Sequence, residues 1–289
     1  MLNEYWMSMP LCVNTEKKKM SSLADEKLRA REQWSQDPCG AVYEREHELG
    51  TREFFEAIER HRYEVYAPWM PETMGFNKFP GAQLLEIGCG MGSDLVQFAR
   101  GGAKCTGVDL TPRSIEITRH RFALYGLEGN FMLSDGERLP FATESFDVVY
   151  SNGVLHHTPD TAGAIHEVHR VLRKGGTAKV MLYYRDSLNY WFEIVMRRGI
   201  FGAEFLRGRS AEDIMSRVVE HSDHEARPLV KVYSRNQARE LFSQFTDVGV
   251  EVEQLMREEL RFLNPLVSDS LFDRLRKRIG WNVVITATK

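Results

Sequence analysis

"LLEIGCGMGSD", residues 84–94, places glycines at positions 88, 90 and 92 directly after a short apolar run. A buried strand that ends in glycines is typical of backbone that approaches a nucleotide-like ligand, because glycine has no Cβ to hold the ligand away. The dinucleotide fingerprint G-x-G-x-x-G fits only in part, since the third glycine comes one place early and Ser93 holds the expected position. The stretch therefore predicts a nucleotide-like ligand without choosing which one.

Short apolar runs alternate with amphipathic stretches of helical spacing from Pro80 to the end of the chain. This alternation predicts an α/β fold with a doubly wound, Rossmann-like, mostly parallel sheet of seven strands. The helix TAGAIHEVHRVLRKGG is expected to close at Gly175. The predicted strands are QLLEIG (83–88), KCTGVDL (104–110), NFMLSD (130–135), FDVVYSN (146–152), TAKVMLYY (177–184), VGVEVEQLM (248–256) and GWNVVITATK (280–289).

Two segments depart from the strand and helix alternation. Residues 1–79 are expected to be an N-terminal flexible segment and helical cap, with helices at 28–34 and 52–66, the second capped by Thr51. Residues 80–289 form the main domain. Within it, 187–230 contains two predicted helices and no strand, so it is interpreted as a helical insertion after strand five that covers the carboxyl edge of the sheet.

Composition limits the classes of partner. A net charge of -3 and a pI near 6.3 give no electrostatic reason to expect nucleic acid. No apolar stretch approaches the roughly 20 residues of a membrane-spanning helix, so no integral membrane segment is expected. The four cysteines form no C-x-x-C pair and no zinc-ligand spacing, which predicts reduced thiols in a cytoplasmic protein and no metal site.

Polar side chains stand where the predicted strands end, and ligands of open α/β sheets bind at those ends. Asp109 follows the second strand, and its carboxylate can accept hydrogen bonds from both hydroxyls of a ribose. Asp135 follows the third strand and can accept from the exocyclic amine of an adenine. A ribose partner after strand two also suits NAD, so Asp109 alone does not discriminate.

A resemblance to a known family rests on four stretches that occur in family order and spacing. They are LLEIGCGMGSD, GVDLTPRSIE, SDGERLPFATESFDVVYSNGVLHH and EVHRVLRKGG, all within residues 83–185. They resemble the motifs of class I S-adenosylmethionine-dependent methyltransferases, in the branch typified by the ubiquinone/menaquinone C-methyltransferases. The family's sheet ends in an antiparallel strand, and GWNVVITATK resembles it.

The resemblance implies S-adenosylmethionine as cofactor and S-adenosylhomocysteine as product. It implies contacts that run from the methionine end of the cofactor to its adenine. They are Glu86, Gly88 and Gly90 at the methionine end, Asn152 beside the sulfonium, Asp109 at the ribose, and Leu110, Asp135 and Gly136 at the adenine. Cys89 and Glu137, which adjoin these residues, complete the set together with Arg62, whose helix is expected to close over the cofactor; a solvated helix face is the alternative for Arg62.

Three residues are candidates for catalysis of methyl transfer to a small-molecule acceptor. His156 and His157 follow strand four, and histidine is the usual general base near neutral pH. A structural role is favoured for at least one of them. Tyr184 is expected to line the acceptor pocket, with core packing as the alternative. The acceptor is a thiol, a quinol or phenol, a carboxylate or an acidic carbon.

Two other functions remain as alternatives. One is an NAD-dependent oxidoreductase, against which Ser93 and the antiparallel ending argue. The other is a protein of methyltransferase fold that binds the cofactor without catalysis. The segment 187–230 also has two interpretations, a mobile cover over the acceptor or a contact in a homodimer.

Overall fold

A computed structural model of the chain describes residues 25–35, 40–218 and 228–289. Its strands form one sheet in the order β3-β2-β1-β4-β5-β8-β7, and β6 pairs with β5 outside this row. The strands are β1 (Gln83–Ile87), β2 (Lys104–Asp109), β3 (Gly129–Leu133), β4 (Phe146–Asn152), β5 (Leu172–Tyr184), β6 (Val232–Tyr233), β7 (Thr246–Glu253) and β8 (Asn282–Thr288).

Strand directions confirm the predicted mostly parallel sheet with an antiparallel last strand. The first five strands pair in parallel, and β8 is antiparallel to both of its neighbours, β5 and β7. The sequence analysis missed the two-residue strand β6, which pairs in parallel with Tyr183 and Tyr184. This order differs from the 3-2-1-4-5-6 order of the dinucleotide-binding fold, because β8 lies between β5 and β7.

The predicted helices at 28–34, 52–66 and within the insertion are present, whereas the π-helix Pro71–Gly75 and α8 were not predicted. Thr51 and Thr111 cap α2 and α4, as their side chains accept from Phe54 N and Ser114 N, both at 3.2 Å. The α-helices are α1 (25–35), α2 (Arg52–Arg60), α3 (Ser93–Arg100), α4 (Pro112–Tyr125), α5 (Thr161–Val171), α6 (Ala211–Val218), α7 (Arg235–Leu241) and α8 (Asp269–Ile279). Three π-helices span His61–Tyr66, which continues α2, Pro71–Gly75 and Tyr190–Phe201. Short 3-10 helices span Ala41–Tyr43, Leu155–His157, Phe205–Arg207 and Arg257–Leu266.

The predicted end of the fifth helix is wrong. Helix α5 ends at Val171, and Leu172 already pairs with Phe146 as the first residue of β5. Gly175 has a φ of 75° and lies inside β5, at an irregularity where the register with β4 shifts. Its amide donates to the carbonyl of Lys289, a partner that is remote in sequence.

Both faces of the sheet are covered by apolar packing. One core joins α5 and α7 to the strands, and a second core joins α3, α4 and the segment 67–76 to the opposite face. Helix α2 packs through Phe54, Phe55 and Ile58 against Met91 and Ile117, next to the glycine turn. Helix α2 therefore has a small core of its own, shared with the glycine turn and α4.

The insertion packs on the sheet through a small separate core. Ile194 of the π-helix and Ile214 and Met215 of α6 lie with Val230 and Trp281, all buried. The two predicted helices of the insertion are confirmed over 190–201 and 211–218, and the remainder of the second one, 219–225, lies outside the described residues.

Candidate functional site

A cleft opens at the carboxyl ends of β1, β2 and β4. It collects ten of the eleven predicted cofactor residues and one of the three predicted catalytic residues. They are Arg62, Glu86, Gly88, Cys89, Gly90, Asp109, Leu110, Asp135, Gly136, Asn152 and His157. Glu137 does not line the cleft; its carboxylate accepts from the Asp160 amide at 2.8 Å and pairs with Lys27.

The glycine turn after β1 brings backbone close to this cleft. Gly88 and Gly90 have φ values of 77° and 52°, in the left-handed region that side chains disfavour. A Cβ on Gly88 would lie 2.3 Å from Cγ2 of Val154, whereas a Cβ on Gly90 would meet nothing within 4 Å. Gly88 thus permits close packing, and Gly90 faces open space.

Two buried acceptor oxygens in the cleft lack a donor among the described residues. They are Oε2 of Glu86 and Oδ1 of Asn152. Burial, followed by the negative charge of Asp94, raises the pKa of Glu86 well above its ordinary value. A buried carboxylate of this kind is stabilised by a cation, so the pair suits a ligand with an ammonium group.

Asp94 organises the floor of the cleft, a role that the sequence analysis did not predict. Its carboxylate accepts from Nε and Nη2 of Arg62, both at 2.8 Å, from the Tyr63 hydroxyl at 2.6 Å and from the Tyr150 hydroxyl at 2.8 Å. Burial acts to raise the pKa of Asp94, and the charge and hydrogen bonds of Arg62 outweigh it, so the pKa lies below its ordinary value. Arg62 is held in a bidentate geometry.

Asp109 and Asp135 are already engaged by the protein. Asp109 accepts from the amides of Gly90 and Thr111 at 3.0 and 2.9 Å, and burial raises its pKa. Asp135 accepts from the Glu137 amide at 2.9 Å and from Nζ of Lys27 at 2.6 Å. Each carboxylate keeps acceptor capacity, because an ionised carboxylate has about four lone-pair sites.

Comparison with known proteins supports the predicted family. Residues 85–180 match the family described as the methyltransferase domain. This match covers most of the stretch on which the resemblance to the class I S-adenosylmethionine-dependent methyltransferases rests. This result favours the predicted family and its cofactor, S-adenosylmethionine, over the NAD-dependent alternative.

Two relatives illustrate how far the similarity extends. The chain is 36% identical over 148 residues to the phthiotriol/phenolphthiotriol dimycocerosates methyltransferase of Mycobacterium leprae, which covers 47% of this chain and 54% of that protein. It is 31% identical over 173 residues to the ubiquinone biosynthesis O-methyltransferase of Methylocella silvestris, which covers 60% of each. The matches span little more than half the length of these relatives.

Solved structures share the fold at low identity. A SAM-dependent methyltransferase from Methanosarcina mazei superposes with a TM-score of 0.53 at 18% identity, over 75% of this chain and 97% of that one. The [4+2]-cyclase SpnF superposes with a TM-score of 0.50 at 19% identity, over 94% of both chains. Because a protein named as a cyclase has this fold, the fold by itself does not identify the reaction.

The three predicted catalytic residues lie in different surroundings. His157 lines the cleft, and its Nδ1 lies 2.7 Å from the Leu229 carbonyl, which puts the proton on Nδ1 and the lone pair on Nε2. His156 is completely buried and does not line the cleft. Tyr184 packs in the core of the sheet, because it points to the opposite face from Tyr183.

Helix α1 supplies cleft residues that the sequence analysis missed. Lys27, Ala30 and Trp34 line the cleft, and the Trp34 ring meets the His157 ring edge-on at 5.8 Å. The helix itself was predicted from sequence, but no local signal indicated that it crosses the cleft. Its contacts are with residues more than 100 positions away.

Cys89 and Cys105 are the cysteines in the described ranges, and both are buried free thiols. Burial raises the pKa of the Cys89 thiol well above its ordinary value, so this side chain is a neutral packing group. Across the described ranges, no cluster of three or more side chains is suited to hold a metal ion. In the same ranges, no helix has the length and apolar character needed to cross a membrane.

Proposed function

We propose that this chain transfers a methyl group from S-adenosylmethionine to a small-molecule acceptor. The observation that carries the proposal is the pair of buried acceptors, Glu86 Oε2 and Asn152 Oδ1, in a cleft that also presents Asp109 and Asp135. Bound S-adenosylmethionine supplies a methyl carbon that its sulfonium has already activated. The protein then has to hold the two reactants in line and exclude water.

The cofactor residues would contact successive parts of the cofactor along the cleft. Glu86 and Asn152 would hold the α-ammonium group, and Arg62, oriented by Asp94, would balance the α-carboxylate. Asp109 would accept from the ribose hydroxyls. Leu110, Asp135 and Gly136 would surround the adenine, and the glycine turn would allow the backbone to approach the methionine end.

We further propose that the acceptor is a hydroxyl compound and that His157 is its general base. His157 lines the cleft, where an imidazole can remove the proton of a hydroxyl, which a quinol or phenol must lose on methylation. The name of one relative, an O-methyltransferase, agrees with this choice. A thiol, a carboxylate or an acidic carbon would need the base less.

The proposal also gives roles to the N-terminal segment, the insertion and the main domain. We propose that α1, from the N-terminal segment 1–79, covers the cofactor and that 187–230 covers the acceptor. The main domain, 80–289, would carry the reaction. A cytoplasmic enzyme is consistent with Cys89 and Cys105, which are buried free thiols.

The test combines binding with turnover. S-adenosylhomocysteine should raise the melting temperature of the full chain, and NAD at the same concentration should not, because only a ligand of the native state stabilises it. Radiolabelled S-adenosylmethionine should then label a phenol or quinol in a panel that also contains thiols, carboxylates and amines.

His157→Gln should lower the rate with hydroxyl acceptors by about 100-fold and leave S-adenosylhomocysteine binding unchanged. Binding of the cofactor without transfer to any acceptor in the panel would favour the non-catalytic alternative. A thermal shift with NAD alone would contradict the whole proposal.

A further inference from the structure

The insertion carries an exposed apolar surface that the cleft does not use. We call it the insertion surface. It consists of Trp191, Phe192, Met196, Ile200, Phe201 and Leu206, of which Phe201 and Leu206 are 77% and 89% exposed. A large apolar surface left in water is costly, and such surfaces mark interaction sites.

The helical geometry gathers these side chains on one side. In the π-helix Tyr190–Phe201, hydrogen bonds span five residues, so Trp191, Met196 and Phe201 follow one another along one face. Ile194 and Gly199, also five apart, form the buried face that packs on the rest of the protein. A helix at an ordinary protein surface has a polar outer face, whereas here the outer face is also apolar.

Positive charge borders this apolar face. Arg197 and Arg198 both pair with Glu193, and Arg207 and Arg209 both pair with Glu204, so each glutamate balances only one of two arginines. The guanidinium of Arg261 lies 4.6 Å from the centre of the Phe192 ring. The described part of the insertion, 187–218, carries five arginines and four acidic residues, so its net charge is +1 in a chain whose net charge is -3.

We propose that the insertion surface docks on an anionic lipid bilayer. Exposed aromatic and aliphatic side chains next to arginines fit the boundary between lipid tails and anionic headgroups, where each part finds a favourable partner. A second copy of the chain fits less well, because a two-fold contact would bring two positive surfaces together. The proposal goes beyond the proposed function and does not depend on methyl transfer.

The insertion surface belongs to a segment that adjoins the cleft. The insertion follows β5, and Leu229, immediately after the insertion's undescribed residues, accepts from His157 at the cleft. Docking through the insertion would therefore hold the cleft near the bilayer, where an apolar acceptor would be concentrated.

The experiment is co-sedimentation of the full chain with vesicles. One set contains phosphatidylcholine alone, and the other contains phosphatidylcholine mixed with phosphatidylglycerol. Leu206→Asp tests the apolar contact, and Leu133→Asp is the matched control, since Leu133 is 52% exposed on the edge strand β3, remote from the insertion. Arg197→Gln and Arg198→Gln test the charge.

We expect binding to the mixed vesicles, little binding to phosphatidylcholine alone and weaker binding as salt is raised. Leu206→Asp should weaken binding by about tenfold or more, each arginine variant by about fivefold, and Leu133→Asp should bind like the parent. Absence of binding to the mixed vesicles, or full binding by Leu206→Asp, would overturn the proposal. So would a dimer in sedimentation velocity that Leu206→Asp dissociates, because the surface would then be a contact between copies.

Discussion

Glu86 destabilises the free protein and is suited to bind a cationic group of the ligand. It stands at the end of β1, 3% exposed, with one carboxylate oxygen lacking a donor among the described residues. Burial and the nearby charge of Asp94 raise its pKa, so the ionised form is destabilised until a cation is present. Replacing Glu86 should therefore weaken ligand binding without lowering the stability of the free protein.

Glu86→Gln should weaken the binding of S-adenosylhomocysteine by about 10- to 100-fold, on the order of one charge-assisted hydrogen bond. The same variant should leave the melting temperature of the free protein unchanged or higher, since a buried charge is removed. Calorimetric titration and thermal unfolding measure the two effects. Glu116→Gln, at an exposed site on α4, is the control, and parental affinity in the Glu86 variant would contradict the assignment.

The burial of His156 affects how the stability of the folded protein depends on pH. Its ring stacks between those of His157 and Tyr183, at 4.2 and 3.9 Å, and neither ring nitrogen has a hydrogen-bond partner within the described ranges. Burial lowers its pKa well below the ordinary value of 6.5. The folded state therefore binds this proton less readily than the unfolded state, so its contribution to stability is present above pH 6.5 and is lost as the pH falls below it.

His156→Phe should keep the stability of the parent near neutral pH, because phenylalanine fills the same aromatic stack. Between about pH 6.5 and pH 5 the parent should lose up to about 1.4 kcal/mol per pH unit more than the variant. Urea unfolding at several pH values measures the difference. Glu86, with its raised pKa, acts in the opposite direction in both proteins and cancels in the comparison.

The control for this pH dependence is His166→Phe, at an exposed position of α5. It should follow the pH profile of the parent. If His156→Phe does so too, burial of His156 has no part in the acid sensitivity.

Among the elements, α1 depends most on tertiary contacts. It reaches the cleft through Lys27, Ala30 and Trp34, and its residues Ala30 and Gln33 are buried. Lys27 also pairs with Asp135 and Glu137. The ion pairs are partly exposed, so each stabilises the closed position of α1 only modestly. We therefore predict that α1 opens and closes with ligand exchange.

Lys27→Ala should loosen α1. We expect faster hydrogen exchange over 25–35 and faster release of S-adenosylhomocysteine, with an affinity loss below about tenfold. Exchange mass spectrometry and stopped-flow dissociation measure the two rates. Lys104→Ala, at an exposed site on β2, should change neither; unchanged rates in Lys27→Ala would show that these ion pairs do not hold the helix.

The position of β8 distinguishes this molecule from a dinucleotide-binding protein. The last strand returns antiparallel between β5 and β7, and pairs from Thr177↔Thr288 to Tyr183↔Asn282. This pairing brings Trp281 against Tyr183, with ring centres 4.6 Å apart, beside the small core of the insertion. The chain terminus thus supports both the sheet and the segment that we propose to dock on lipid.

Local sequence was sufficient for the seven long strands, most helices and the cleft residues at strand ends. Apolar periodicity marks each long strand, and parallel strands bring their carboxyl ends to one edge, so the sequence alone groups Glu86, Asp109 and Asn152. Only the tertiary structure decided the role of Asp94, the crossing of α1 over the cleft and the end of α5. Those depend on partners far along the chain, such as Arg62 for Asp94, Asp135 for Lys27 and Phe146 for Leu172, which no local pattern encodes.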